Sequence, residues 1–240
     1  MGRSAFTEAP KTYQTMNQTN LTQQALSTDT VFCRSLVSEG YLTHQQMEQA
    51  AQRYRLGRSK DGGVIFWQID EEGHVRDGKI MFYRDDCHRD HDHNPDWVHF
   101  RLIKHYGYDG DIPVERCLFG LHLLSSNETS VVAVVESEKT AVILSEHFSQ
   151  VLWLAAGGLT MLNAARLYPL RDRRVVLFPD TDPEGKAFKA WLSVAATAQE
   201  QFKYPIRVSR ILEDRATPSQ KEAKVDLVDY LFSPQTSQNL

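Results

Sequence analysis

The strongest constraint in this 240-residue sequence lies in its second half, where four short apolar runs alternate with stretches of helical period. VVAVVE (131–136), VLWLAAG (151–157), RVVLFPD (174–180) and YPIRVSRI (204–211) are rich in Val, Ile and Leu, as strands covered on both faces are. Between them, residues 137–148, 159–170 and 183–202 carry apolar side chains at helical spacing. This β-α-β-α-β-α-β order predicts an α/β fold with a parallel sheet flanked by helices.

An open parallel sheet binds ligands outside the carboxyl ends of its strands, so the residues that close each strand matter most. Glu136 closes the first run, Gly157-Gly158 the second, and Asp180-Thr181-Asp182 follows the third, directly before Pro183. Hard oxygen donors at a chain turn suit Mg²⁺, and crowded carboxylates repel one another unless a cation lies among them. Asp182 has a second reading as the cap of the helix beginning at Pro183. That reading leaves Glu136 unexplained, because Ser137 would be an adequate cap for the helix after it. The expectation is a metal site of Glu136, Asp180 and Asp182.

In the first half, residues 1–28 are rich in Gln, Thr, Asn and Ser and read as a disordered leader. Phe32, Leu36 and Val37, then Leu42, Met47, Ala50, Ala51 and Tyr54, predict two helices broken at Ser38-Glu39-Gly40. VIFWQID (64–70) and VRDGKIMFYR (75–84) flank Glu71-Glu72-Gly73 as a hairpin of alternating pattern. Arg76, Lys79 and Arg84 are its candidate phosphate contacts. Period two puts Arg76 and Arg84 on one face and Lys79 on the other, so at most two converge. Trp97 and His99 read as packed side chains in preference to base-stacking ones. CHRDHDH (87–93) offers Cys87, His88, His91 and His93 as ligands, but its charged neighbours and the lack of a closing pair suit a solvated loop, and no zinc is expected.

The net charge of −4 excludes a bulk polycation, so nucleic acid would be held through a local basic patch or through metal. Cys33, Cys87 and Cys117 are distant and form no CxxC pair, which argues for reduced thiols. No apolar run approaches the roughly 20 residues of a membrane helix, and the N-terminus lacks a signal-like apolar core. A cytoplasmic protein with no membrane partner is expected.

VVESEKTAVILSEH (134–147), LAAGGLTML (154–162), VVLFPDTDPEGKAF (175–188) and VDLVDYL (225–231) resemble, in order, the TOPRIM domain shared by bacterial primases, topoisomerases and related nucleases. The resemblance implies that Glu136 is a general acid or base or joins the metal site. It implies that Asp180 and Asp182 hold Mg²⁺, with Mn²⁺ as an alternative, and that Gly157 and Gly158 shape the turn near the phosphates. Asp226 and Asp229 fill the place of a late acidic pair with shifted spacing. Lys139 is a candidate phosphate contact, although a lysine in a first helical turn is more often solvated. Replicative primases carry an acid where this chain has Thr140, and ESEKT is a variant associated with primase-like proteins of plasmids, phages and other mobile elements.

Residues 32–57 and 64–84 resemble the N-terminal subdomain of the primase core, and CLFGLHLL (117–124) resembles its link into TOPRIM. The implied organisation is a leader at 1–28, an α+β subdomain at 29–125, a TOPRIM domain with a Rossmann-like sheet at 126–233 and a tail at 234–240. That is a primase core without zinc-binding or helicase-binding domains. The implied function is Mg²⁺-dependent nucleotidyl transfer from nucleoside triphosphates on a single-stranded DNA template, in replication of DNA or of a mobile element. A helicase or a separate zinc-domain protein would be a partner. A TOPRIM nuclease and a non-catalytic nucleic-acid-binding accessory module fit the same residues.

Overall fold

The computed structural model describes residues 26–106, 114–127 and 131–232. Residues 1–25 of the expected leader and the expected tail lie outside them. Helices α1 (Val31–Ser38) and α2 (His44–Tyr54) form where the apolar spacing places them. Thr30 accepts the Cys33 N–H, and Thr43 and Gln46 form a reciprocal capping box, which satisfies N–H groups that a helix start leaves open.

Strands β1 (Gly57–Arg58), β2 (Val64–Ile69), β3 (Val75–Met81) and β4 (Asp96–Trp97) make an antiparallel sheet in that order, and α3 (Val98–Tyr106) follows. The β2–β3 register runs from Val64 opposite Met81 to Gln68 opposite Asp77, with an irregularity at Gln68 and Ile69. Two expectations are corrected here. The second strand ends at Met81, short of Arg84, and β2 is buried along its whole length. The alternation persists as two apolar faces: Val64 and Phe66 enter one core, while Ile65, Trp67 and Ile69 enter another with Val75 and Ile80.

The second half contains β5 (Val131–Val135), α4 (Glu138–His147), β6 (Val151–Ala155), α5 (Ala164–Leu167), β7 (Val175–Phe178), α6 (Lys186–Ala198) and β8 (Arg207–Val208). Short helices α7 (Ile211–Arg215), α8 (Pro218–Glu222) and α9 (Leu227–Phe232) complete it. The strands are parallel in the order β6-β5-β7-β8, so the expected α/β class is present. The chain steps to one side of β5 for β6 and to the other for β7, and a crevice opens at the carboxyl ends where that order reverses. The expected single helix over 159–170 is divided, because Asn163 is extended and caps a new start by accepting the Arg166 N–H, and a 3₁₀ turn holding Pro169 then runs over Tyr168–Leu170. The fourth strand is cut to two residues by the start of α7 at Ile211.

The two sheets share one core. Phe66, Phe119, Ala133, Val135 and Trp153 pack with α1, α2 and α4, while Val132, Val134, Leu177 and Trp191 fill the opposite face of the parallel sheet. Tyr54 donates to the Trp153 carbonyl at 2.8 Å, and Arg53 pairs with Glu146 at 2.7 Å. These links fix α2 against β6 and α4 of the parallel half, while Lys79 of β3 reaches Glu138 and the Gly157 carbonyl directly.

Candidate metal and phosphate site

Glu136 follows β5 directly and Asp180 lies just past β7, so both sit at carboxyl ends of adjacent parallel strands. They face one cavity of about 530 Å³, with Asp226 and Asp229 on its wall. Glu136, Asp180 and Asp226 do not converge as a trio within 4.8 Å. Burial pushes the Asp180 carboxyl well above the usual carboxylate range, and Glu136, Asp226 and Asp229 push it further. Glu136 and Asp229 are raised as well, first by burial.

Two lysines enter this acidic crevice. Lys79, carried across from β3, donates to Glu138 Oε2 at 3.1 Å and to the Gly157 carbonyl at 2.7 Å. Lys139, in the first turn of α4, lies 3.7 Å from Asp226 Oδ2 and 3.5 Å from Asp229 Oδ1. Burial alone would lower the Lys139 ammonium, but the two aspartates together hold it above the usual lysine range. Thr140 donates to Asp226 Oδ2 at 2.6 Å.

Gly157 has φ +89°, and a Cβ there would lie 3.1 Å from Glu138 Oε1. Only glycine fits without moving the Lys79–Glu138 pair. Gly157→Ala is expected to cost about 1–3 kcal/mol, read as a lower melting temperature. An unchanged melt would show that the turn does not need this conformation.

Three sequence expectations change. Asp182 does not line the cavity: its Oδ1 accepts the Glu184 and Lys186 N–H groups, each at 3.0 Å, and its Oδ2 accepts that of Ala187 at 2.9 Å. Burial raises its carboxyl, but the three backbone donors outweigh this and hold it below the usual range. Its capping role is therefore the one realised, because the left-handed Gly185 turns these donors toward it. Arg76 does not join Lys79, since it is bound to Asp70 at 2.6 Å and faces a different cavity. Lys79 and Arg84 are the hairpin cations that share the site, because β3 ends at Met81 and Arg84 turns back toward His88.

The 87–93 run is likewise not a uniformly solvated loop. Cys87 is buried in the core, His93 stacks on Phe82 at 4.4 Å, and His88 and His91 reach the cavity wall. The run also supplies Arg89, which sequence reasoning missed. Arg89 lines the cavity and its buried Nε has no hydrogen-bond partner. Lys224, also on the wall, was missed too, and it holds φ +53°, a left-handed conformation rare for a lysine. The concentration of Arg and His directly after the hairpin was the available signal. Trp97 and His99 pack as expected: His99 is buried against Asp77, and the Arg116 guanidinium lies 3.7 Å from the centre of the Trp97 ring. Among the described residues, the cluster of potential ligands within 4.8 Å is Asp70, Glu72 and His74 at the hairpin turn, where Asp70 is already held by Arg76.

The family model described as Domain of unknown function (DUF6371) matches residues 30–181. The chain belongs to that family. In the DUF6371 chain the match takes in Lys79, Glu136, Glu138, Lys139, Gly157, Gly158 and Asp180, and it ends before Asp182. Among curated proteins none matches in sequence. Solved structures match in fold. The DnaG catalytic core aligns with a TM-score of 0.54 at 14% identity, over 92% of this chain and 83% of that one. The E. coli primase catalytic core gives 0.51 at 14%, over 92% and 83%. The DnaG primase catalytic domain bound to ssDNA gives 0.52 at 15%, over 92% and 84%. The DUF6371 chain thus has a primase-core-like fold. No described helix is long and apolar enough to cross a membrane.

Proposed function

We propose that this chain is a primase-like TOPRIM protein that binds single-stranded nucleic acid and nucleoside triphosphates and performs Mg²⁺-dependent nucleotidyl transfer, in replication of DNA or of a mobile element. The observation that carries this reading is the pair Glu136 and Asp180, crowded at adjacent strand ends inside a primase-like fold and lining one cavity with Lys79, Arg84 and Arg89.

The donor chemistry fits Mg²⁺. Lys79 is paired with Glu138, Lys139 with Asp226 and Asp229, and Asp182 with backbone N–H groups. That leaves Glu136 and Asp180 without an ion-pair partner among the described residues, and the charge of two carboxylates suits one divalent ion. Mg²⁺ sites of phosphoryl-transfer proteins commonly use one or two carboxylates and complete their shell with water and substrate phosphates. Bound there, Mg²⁺ would neutralise charge developing on the transferring phosphoryl group. The chain's own part is positional. Arg84 and Arg89 line the same cavity, where they would take phosphate oxygens, Arg84 by exchanging its Asp86 partner at 2.9 Å, and Lys79 holds the Gly157 turn in place.

The test is template-directed extension with purified protein, labelled nucleotides and Mg²⁺ or Mn²⁺. Short products are expected with the wild type and none with Asp180→Asn. Cleavage of labelled DNA without added nucleotides would favour a nuclease, and the absence of both reactions would favour a binding module.

A further inference from the structure

We propose that Lys139 is a built-in cation that takes the place of a second divalent ion, so that the folded chain binds one ion at Glu136 and Asp180 and cannot bind another at Asp226 and Asp229. This rests on the reading of Glu136 and Asp180 as divalent-ion ligands.

The geometry around the second pair is closed. Asp226 Oδ1 accepts the Asp229 N–H at 2.8 Å, and Asp229 Oδ2 accepts the Asp226 N–H at 3.3 Å. Asp226 Oδ2 takes the Thr140 hydroxyl and lies next to the Lys139 ammonium, and the remaining oxygen, Asp229 Oδ1, faces that same ammonium. All four oxygens are thus engaged by donors or by the ammonium. Lys139 is 10% exposed in its side chain, so the pair is poorly screened by solvent. A divalent ion placed on Asp226 and Asp229 would have to displace the lysine or sit beside a like charge.

The first pair differs. No described side chain donates a hydrogen bond to Asp180, and among the described residues no ion pair engages Glu136, whose stabilising neighbours are the Leu159 backbone and the Lys79 charge. An ammonium fixed to the chain cannot dissociate. The site is therefore half-assembled before any metal arrives, and occupancy should follow a single hyperbola in metal concentration.

The probe is Mn²⁺ alone, added to the full chain and followed by calorimetry and by the spin-resonance signal of free Mn²⁺. The wild type should bind one Mn²⁺, Lys139→Arg one, and Lys139→Met two. Two ions on the wild type, or one on a folded Lys139→Met, would overturn the role of Lys139 while leaving the metal site standing. No binding to the wild type would remove both. Should Lys139→Met fail to fold, Asp229→Asn supplies the second test: it should retain one Mn²⁺ with unchanged affinity, and loss of that ion would mean that Asp229 is a ligand and that the proposal is wrong.

Discussion

Asp180→Asn should yield a chain that is more stable than the wild type in chelator at pH 8, by about 1–3 kcal/mol, yet no longer stabilised by Mg²⁺. In the metal-free fold this carboxyl is raised well above its ordinary value by burial and by Glu136, Asp226 and Asp229. A group whose folded pKa is raised binds its proton more tightly when folded. Its favourable contribution is therefore present at low pH and is lost as pH rises from the ordinary carboxylate range, about 4, through the folded value. Wild-type stability in chelator should fall over that window more than that of the amide variant, which cannot ionise. Added Mg²⁺ should reverse the order, because a cation relieves the repulsion only where the carboxylate exists. Thermal melts at pH 5.5 and pH 8, with chelator or Mg²⁺, measure all four conditions. Equal Mg²⁺ responses in the two proteins would eliminate Asp180 as a ligand. The same variant should lose at least about 100-fold in any extension activity.

The largest loss of stability is expected from Asp77→Ala, at a residue that does not itself line the cavity. Asp77 is fully buried in β3. Its Oδ1 accepts the Gly78 and His99 N–H groups at 2.7 and 3.3 Å, and its Oδ2 meets His99 Nδ1 at 2.7 Å and Arg116 Nε at 2.9 Å. These contacts tie β3 to α3 and to the segment that leads into the parallel sheet. Truncation would strand Arg116 and His99 without their acceptor, a change that costs about 3–5 kcal/mol when a buried ion pair is broken. Urea denaturation reads it directly. Asp77→Asn, which keeps one acceptor oxygen, should lose less. A loss below about 1 kcal/mol for the alanine variant would mean that water replaces the carboxylate and that the network is not structural.

The sequence made some of this legible for identifiable reasons. Apolar runs over β5, β6 and β7 are strong local signals, and a residue that ends such a run must lie near the carboxyl edge of the sheet, so Glu136 and Asp180 could be placed from spacing alone. What could not be read depends on packing between distant segments. Period two sets Lys79 and Arg76 on opposite faces of one hairpin, but only the docking of the two sheets decides which face meets the site, so that Lys79 meets Glu138 while Arg76 turns to Asp70. Lys139 read as a phosphate contact or a solvated lysine, and its ion pairs were not foreseen, because its partners Asp226 and Asp229 arrive from the far end of the chain. Asp182 fitted both a ligand and a cap, and the choice followed from where three backbone N–H groups point after Gly185. The break at Asn163 was missed because the apolar period runs through it while the backbone does not.

The contact of Lys79 with Glu138 and with the Gly157 carbonyl has a consequence for any attempt to exchange parts of this protein. A side chain from one sheet acts as a key in a lock cut by the other, and the lock lies beside the ligand cavity. A chimaera that takes its antiparallel half from one family member and its parallel half from another could fold with a sound core and still hold the Gly157 turn wrongly. Lys79, Glu138 and Gly157 should be transplanted together, as a single unit of inheritance spread over two halves of the chain.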